Sequence, residues 1–319
     1  MKAFVLGAGL GTRLRPLTAV LPKPLIPVWN KPLITYAFDH LLDAGVKEFV
    51  VNTHHLAKKF AEAFPDSTYA GAPIQFVEEK PEVLETGGGL ANAAEHFQDG
   101  DFLVYNGDIL TDLPIAPALE AHAQSDNLVT LVLRSTGDGR NVNFDPESGK
   151  ILDLRGALGT KTEQPYQFTG IYIVRPEFLS HLKVEPSSIV PTWLKLIEKG
   201  QKIGGVVIDE GQWWDLGHRN AYLGASKAMS KGEFPSYPTH DPQPIRIHPD
   251  AEVDPTSTID QYTVLGAGSR VEMNCRICQS IIWPEMQIGP ETVLDRCVII
   301  GRTKQFPQII TGQHVAADL

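Results

Sequence analysis

The 319-residue chain has only three cysteines, Cys275, Cys278 and Cys297. So few, and an odd number, provide no disulfide framework and suit a reducing compartment. Long apolar runs are also missing. None approaches the roughly 20 residues needed to cross a bilayer, and residues 1–13 run from a short apolar stretch straight into glycines, unlike a secretory leader. The expected location is the cytoplasm, with no membrane partner. Positive charge is in deficit, with 28 Lys+Arg against 38 Asp+Glu and a formal net charge of −10. That balance excludes the broad basic footprint of a nucleic-acid binder. One stretch lacks the opposite sign. Residues 1–38 contain no Asp or Glu but carry Lys2, Arg13, Arg15, Lys23 and Lys31, the first acid being Asp39. Local positive charge in an acidic chain points to a small anionic ligand.

What is present is enough to build a substantial core: 42% of residues are apolar, and the length suits one large domain with a smaller one. Residues 2–6, 48–53, 74–78, 102–105, 128–133, 168–174 and 203–208 read as strands. Residues 32–44, 56–64, 89–97, 114–124, 176–182, 189–199 and 220–231 read as helices, and 141–154 as an inserted hairpin turning at 146–149. This alternation predicts an α/β fold, a Rossmann-like, mostly parallel sheet with helices on both faces and right-handed crossovers. Ligands in such sheets sit beyond the carboxyl ends of the strands, where residues 7–14 and 106–109 fall.

Four prolines (Pro235, Pro238, Pro242, Pro244) mark 233–244 as a linker after a catalytic domain at 1–232. From Ile247 an aliphatic residue recurs every six positions, at Val253, Ile259, Leu265, Val271 and Ile277. A small residue follows four later each time up to Cys275, and Trp283 is expected to keep the register before the pattern slips. This is the pattern of a short left-handed parallel β-helix, placed at 245–303 with a tail at 304–319. It also accounts for the Cys275-x-x-Cys278 pair, because Cys275 fills an inward small position and two further zinc ligands are lacking.

The chemistry concentrates in Gly7-Ala8-Gly9-Leu10-Gly11-Thr12-Arg13-Leu14-Arg15-Pro16-Leu17-Thr18, followed by Pro22-Lys23-Pro24. Alternate glycines after a strand let successive backbone N–H groups turn toward phosphate oxygens. Thr12 stands where a dinucleotide fingerprint needs glycine, and no Gly-Lys-Ser/Thr of a Walker A loop follows. Arg13 and Lys23 add two fixed cations to the loop.

This signature resembles that of the sugar-1-phosphate nucleotidyltransferases, the NDP-sugar pyrophosphorylases, over about residues 1–230. Asn106-Gly107-Asp108, Phe168-Thr169-Gly170-Ile171 and Trp214-Asp215-Leu216-Gly217 agree with it. Leu84-Glu85-Thr86-Gly87-Gly88-Gly89 is most similar to the N-acetylmuramic acid-1-phosphate uridylyltransferases, with mannose-1-phosphate guanylyltransferases next. The resemblance implies attack of a sugar 1-phosphate on the α-phosphorus of a nucleoside triphosphate, with UTP and an N-acetylhexosamine 1-phosphate favoured over GTP and mannose 1-phosphate. It implies that Arg13 and the loop residues Gly9, Gly11 and Thr12 hold phosphates, that backbone contacts near Ala8 help to choose the base, and that Lys23 offsets charge on the α-phosphate. It implies that Asp108 and Asp215 bind Mg²⁺, Asp108 thereby counting among the catalytic residues. Glu85 and Gly88 fall where the family places the base, glycine there letting it lie against backbone. Asn106, Thr169 and Gly170 fall at sugar-contacting positions. The family's second phosphate lysine has no clear match; Lys161 is the positional candidate, and Glu163 is a candidate sugar contact. A homo-oligomer built through the β-helix is expected. The competing readings are a bifunctional acyltransferase, for which the β-helix is short, and a non-catalytic sugar-nucleotide sensor, against which Lys23, Asp108 and Asp215 are all retained.

Overall fold

The computed structural model describes residues 1–160, 164–232, 234–301, 309–311 and 314–317. The chain forms two compact units, Met1–Gly9 with Ala37–Trp213, and Leu10–Tyr36 with Trp214–Leu319.

The first unit is built on a ten-stranded sheet. Its spatial order is Arg140–Asp145, Lys150–Leu154, Ile203–Val207, Val129–Arg134, Tyr166–Val174, Phe102–Asn106, Lys2–Leu6, Glu48–Thr53, Ala72–Glu78 and Thr68–Tyr69. Lys2–Leu6 pairs in parallel with both Glu48–Thr53 and Phe102–Asn106, and Ala72–Glu78 extends that parallel block. Tyr166–Val174 runs antiparallel to both of its neighbours, because the chain returns to it from the hairpin Arg140–Asp145/Lys150–Leu154. The sheet is therefore mixed, parallel where the glycine loop leaves it. Alternating aliphatic and aromatic side chains from these strands, among them Phe4, Val50, Val104, Leu131 and Tyr172, form one core with Phe97, Phe178 and Trp193. Beside it, His40 Nδ1 lies 3.1 Å from the Tyr105 hydroxyl. Burial lowers the His40 pKa to about 4 and raises that of Tyr105.

The expected strands and helices are present with boundary shifts of a few residues. The helix expected from residue 89 begins four residues earlier, at Glu85, and ends at Asn92, before a separate turn Ala94–Phe97. Three successive glycines are poor helix formers, so this start is held by outside contacts described below.

In the second unit, three parallel ladders make the β-helix. One contains Glu252–Val253, Arg270–Val271 and Gln287–Ile288; the others start at Thr258–Ile259 and Val264–Leu265. Val253 pairs with Val271 and Ile259 with Ile277, an offset of 18. Leu265 pairs with Ile282, an offset of 17. Trp283 thus does not keep the register; one residue is lost before it, and Ile282 takes the inward place. Hydroxyls at corner positions explain the small residues, since Ser269 Oγ donates to Gly266 O and Thr292 Oγ1 to Gly289 O, each at 2.7 Å. Ladder pairing continues through Ile309–Thr311 and His314–Ala317, inside the stretch expected as a tail. Cys275 is buried, its Sγ 3.1 Å from Gly289 O. No group of three His, Cys, Asp or Glu suited to a metal occurs among the described residues. No described helix is long and apolar enough to cross a membrane.

Candidate active site

The loop that follows Lys2–Leu6 owes its shape to its own packing. Gly11 has φ +59°, and a Cβ there would stand 2.6 Å from Thr18 Cγ2. Thr18 Oγ1 donates to Gly11 O at 2.9 Å, which ties the start of the loop to its end. A Cβ on Gly9, by contrast, would meet nothing within 4 Å among the described residues. Glycine at position 9 has no packing reason within the chain, while close approach of a ligand to exposed backbone supplies one.

Pro22 and Pro24 frame the single turn Lys23–Leu25. Its lysine is only 6% exposed, and Nζ lies 3.2 Å from Asp215 Oδ1. Arg13 reaches the other oxygen, Nη2 to Oδ2, at 3.6 Å. The Arg13 side chain is 68% exposed and that of Asp215 38%. The guanidinium rests on Gly217, where a Cβ would stand 2.7 Å from Nη2. Two cations therefore share one carboxylate, and sequence separations of about 190 to 200 residues close on one point. The arrangement can exchange partners: an incoming phosphate competes with Asp215 for Arg13 and Lys23, and the carboxylate is then available to a hard cation.

For Mg²⁺, the donors present are of the required kind. Asp215 is accessible, and Asp108 is half-buried just beyond Phe102–Asn106. Mg²⁺ characteristically takes one or two carboxylates and completes its shell with water and substrate phosphates. The residues fit the ion.

In the first unit, Gly107 N–H donates to Leu6 O at 3.0 Å, anchoring the Asn106-Gly107-Asp108 turn to the end of Lys2–Leu6. Asn106 is half-buried, its side chain against Gly170, whose φ is +86° and whose added Cβ would stand 2.6 Å from Asn106 Nδ2. Thr169 is different from what was expected. It is fully buried, its hydroxyl donates to Val132 O at 2.9 Å, and its carbonyl accepts the Trp213 indole N–H at 2.8 Å. The side chain holds an irregularity in strand pairing between Phe168 and Tyr172 and is not free for a sugar.

The glycine run is also used internally. A Cβ on Gly88 would stand 2.1 Å from Glu185 O, and one on Gly89 would stand 2.5 Å from Glu79 Oε1. The N–H groups of Gly87 and Gly88 both point to Ser187 O, at 2.7 and 3.3 Å. Ile189 N–H donates to Thr86 Oγ1 at 2.9 Å. These contacts give the glycines a packing reason of their own. Glu85 is exposed with φ +58°, and Ala8 is buried. Thr12 and Arg15 are exposed. Lys161 and Glu163 lie outside the described residues.

Sequence reasoning missed Glu79. It is fully buried, and its carboxylate accepts Asn52 Nδ2–H through Oε1 and Leu84 N–H through Oε2, both at 2.7 Å. Asn52 Oδ1 in turn accepts Gly7 N–H at 2.7 Å. One buried carboxylate thus links the root of the phosphate loop to the entry of the glycine helix. A charged residue in a Glu-Glu-Lys-Pro run at a strand end gives no sequence signal for such a role.

The profile of the family described as Nucleotidyl transferase matches residues 2–232. The chain is 30% identical over 305 residues to a mannose-1-phosphate guanylyltransferase of Mycobacterium tuberculosis, covering 92% of this chain and 83% of that one. It is 32% identical over 237 residues to an N-acetylmuramate α-1-phosphate uridylyltransferase of Neisseria meningitidis, covering 71% of this chain and all of the relative. In fold it is similar to HddC from Yersinia pseudotuberculosis complexed with GMP-PN, with TM-score 0.60 and 21% identity over 72% of this chain and 99% of that one. With a glycine loop, a two-cation cluster on Asp215 and a family match over most of its length, the chain belongs to the nucleotidyl transferase family and is an enzyme of that class.

Proposed function

We propose that the protein is a sugar-1-phosphate nucleotidyltransferase: a phosphate oxygen of the sugar 1-phosphate bonds to the α-phosphorus of a nucleoside triphosphate. The bond from the α-phosphorus to the β-phosphate oxygen breaks, and pyrophosphate leaves with its electron pair. The observation that carries this reading is the pairing of buried Lys23 and exposed Arg13 on Asp215 beside the glycine loop. Such transfer needs in-line positioning and charge neutralisation more than covalent catalysis. Lys23, fixed by its prolines, meets the α-phosphate. Arg13 and the backbone of Gly9, Gly11 and Thr12 take the departing β- and γ-phosphates. Asp108 and Asp215 are the acids we assign to Mg²⁺, which when bound would supply positive charge to the two phosphates that must approach each other. Asn106 and the Gly170 backbone, shaped by buried Thr169, are assigned to the sugar, and the backbone near Ala8 with the Glu85 and Gly88 segment to the base.

UTP with an N-acetylhexosamine 1-phosphate is the substrate pair we favour, on the likeness of residues 84–89 to the uridylyltransferases and the 32% identity to the Neisseria relative. GTP with mannose 1-phosphate is the second reading, favoured by the M. tuberculosis relative, whose similarity extends across 92% of the chain, the β-helix region included. The β-helix is the surface we assign to self-association. A pyrophosphate-release screen crossing four nucleoside triphosphates with a panel of sugar 1-phosphates tests the reading. Turnover with one pair supports it, and silence of every pair with Mg²⁺ present overturns it.

A further inference from the structure

A groove of about 450 Å³ runs between the helix Arg219–Met229 and the side of the β-helix, all within the second unit. Its size suits a small metabolite. Arg219, Lys227 and Arg296 line it, together with Asn220, Gln279 and Tyr262. Among the described residues one acid pairs with these cations, Asp295, whose carboxylate takes Nε and Nη2 of Arg296 at 2.9 Å each. Lys227 Nζ stands 4.9 Å from the centre of the Tyr262 ring and 3.4 Å from Gln279 Oε1. Three cations and one carboxylate leave an excess of about two positive charges, in a protein whose net charge is −10. Like charges around one groove repel, and an anion entering it relieves that repulsion.

Arg219 Nε is enclosed by the protein and Nη2 lies 3.4 Å from Asn220 Oδ1, so the Nη edge of the guanidinium is the part that a groove ligand meets. Arginine forks match phosphate oxygens in pairs, and lysine adds a point charge. Lys227 now stands over the Tyr262 ring; drawn onto a phosphate, it would leave the ring for a sugar or base attached to that phosphate.

We propose that this groove binds a phosphate monoester of a sugar or nucleoside, at a site separate from the Lys23–Asp215 cluster. The dianionic phosphate is held by Arg219 and Lys227, and the ester's organic part lies on Tyr262. The site does not depend on the substrate assignment above, because it is tested by binding without turnover.

The test is calorimetric titration of the whole chain with inorganic phosphate, a hexose 6-phosphate and a nucleoside 5′-monophosphate. The proteins are the wild type, the double variant Arg219→Ala/Lys227→Ala, Tyr262→Ala and, as a reference for the catalytic cluster, Lys23→Ala. At least one ester binds wild type and Lys23→Ala alike, and more tightly than inorganic phosphate. The double variant, with its melting temperature checked, binds it at least about tenfold more weakly, the effect of losing charge-assisted hydrogen bonds. Tyr262→Ala removes the preference for the ester over phosphate. Unchanged affinity in the double variant, loss of binding in Lys23→Ala only, or no binding of any probe to the wild type overturns the proposal. Should the double variant not fold, Lys227→Met alone serves the same comparison.

Discussion

Replacing Glu79 by alanine strands two buried donors at once. Asn52 Nδ2–H and Leu84 N–H each lose an acceptor now 2.7 Å away. A buried donor left unpaired costs about 1–3 kcal/mol, so the two together cost about 2–6 kcal/mol. Removing a desolvated charge offsets part of this. The expected net loss is about 3 kcal/mol. Glu79→Gln keeps one acceptor but turns an amide N–H₂ toward the second donor, so it should lose roughly half as much. Urea unfolding followed by tryptophan fluorescence is a suitable assay, since Trp193 is fully buried in the same unit. The damage should also reach Gly7 through Asn52 and loosen the phosphate loop, raising the KM for nucleoside triphosphate. A Glu79→Ala midpoint within about 0.5 kcal/mol of wild type, the spread of ordinary surface changes, refutes the bridging role.

Gly88→Ala should destabilise by about 1–3 kcal/mol or more in thermal melts, because its Cβ would sit 2.1 Å from the backbone oxygen of Glu185. Gly9→Ala meets nothing and should melt within about 0.5 kcal/mol of wild type while raising KM for the nucleotide; normal binding would remove the ligand-approach argument. Acid should cost stability through His40. Its folded pKa of about 4 lies below the ordinary 6.5, so between these values the unfolded chain binds a proton that the folded one does not. Stability therefore falls as pH drops from about 6.5 to 4, by about 3 kcal/mol from this group. His40→Gln should flatten that part of the stability profile measured by urea titration.

Much of this was legible in the sequence. The β-α alternation gave the strands of the first unit, since apolar runs of strand length between amphipathic segments have few other solutions. The six-residue period gave the β-helix, because each coil must present an aliphatic residue inward. The loss of one residue between Ile277 and Ile282 was hidden, as Trp283 fits the period equally well on composition. The reversed strand Tyr166–Val174 was hidden too, because apolar content does not record strand direction. At the site, Gly9, Gly11, Arg13 and Lys23 announced themselves through types rarely combined otherwise. Thr169 and Gly88 carried motif positions, but their polar groups are taken by Val132 and Ser187, long-range partners that no local pattern exposes. Glu79 was invisible for the same reason, its role resting on Asn52 and Leu84.

The central claim is that Lys23, held against Asp215, stabilises charge on the phosphate under attack. The most direct measurement is kcat/KM for pyrophosphate formation by Lys23→Ala, with its melting temperature shown to match wild type. Removing one preorganised charge-stabilising group should lower it roughly 10²- to 10³-fold. Activity near wild type in a folded Lys23→Ala protein would contradict the account.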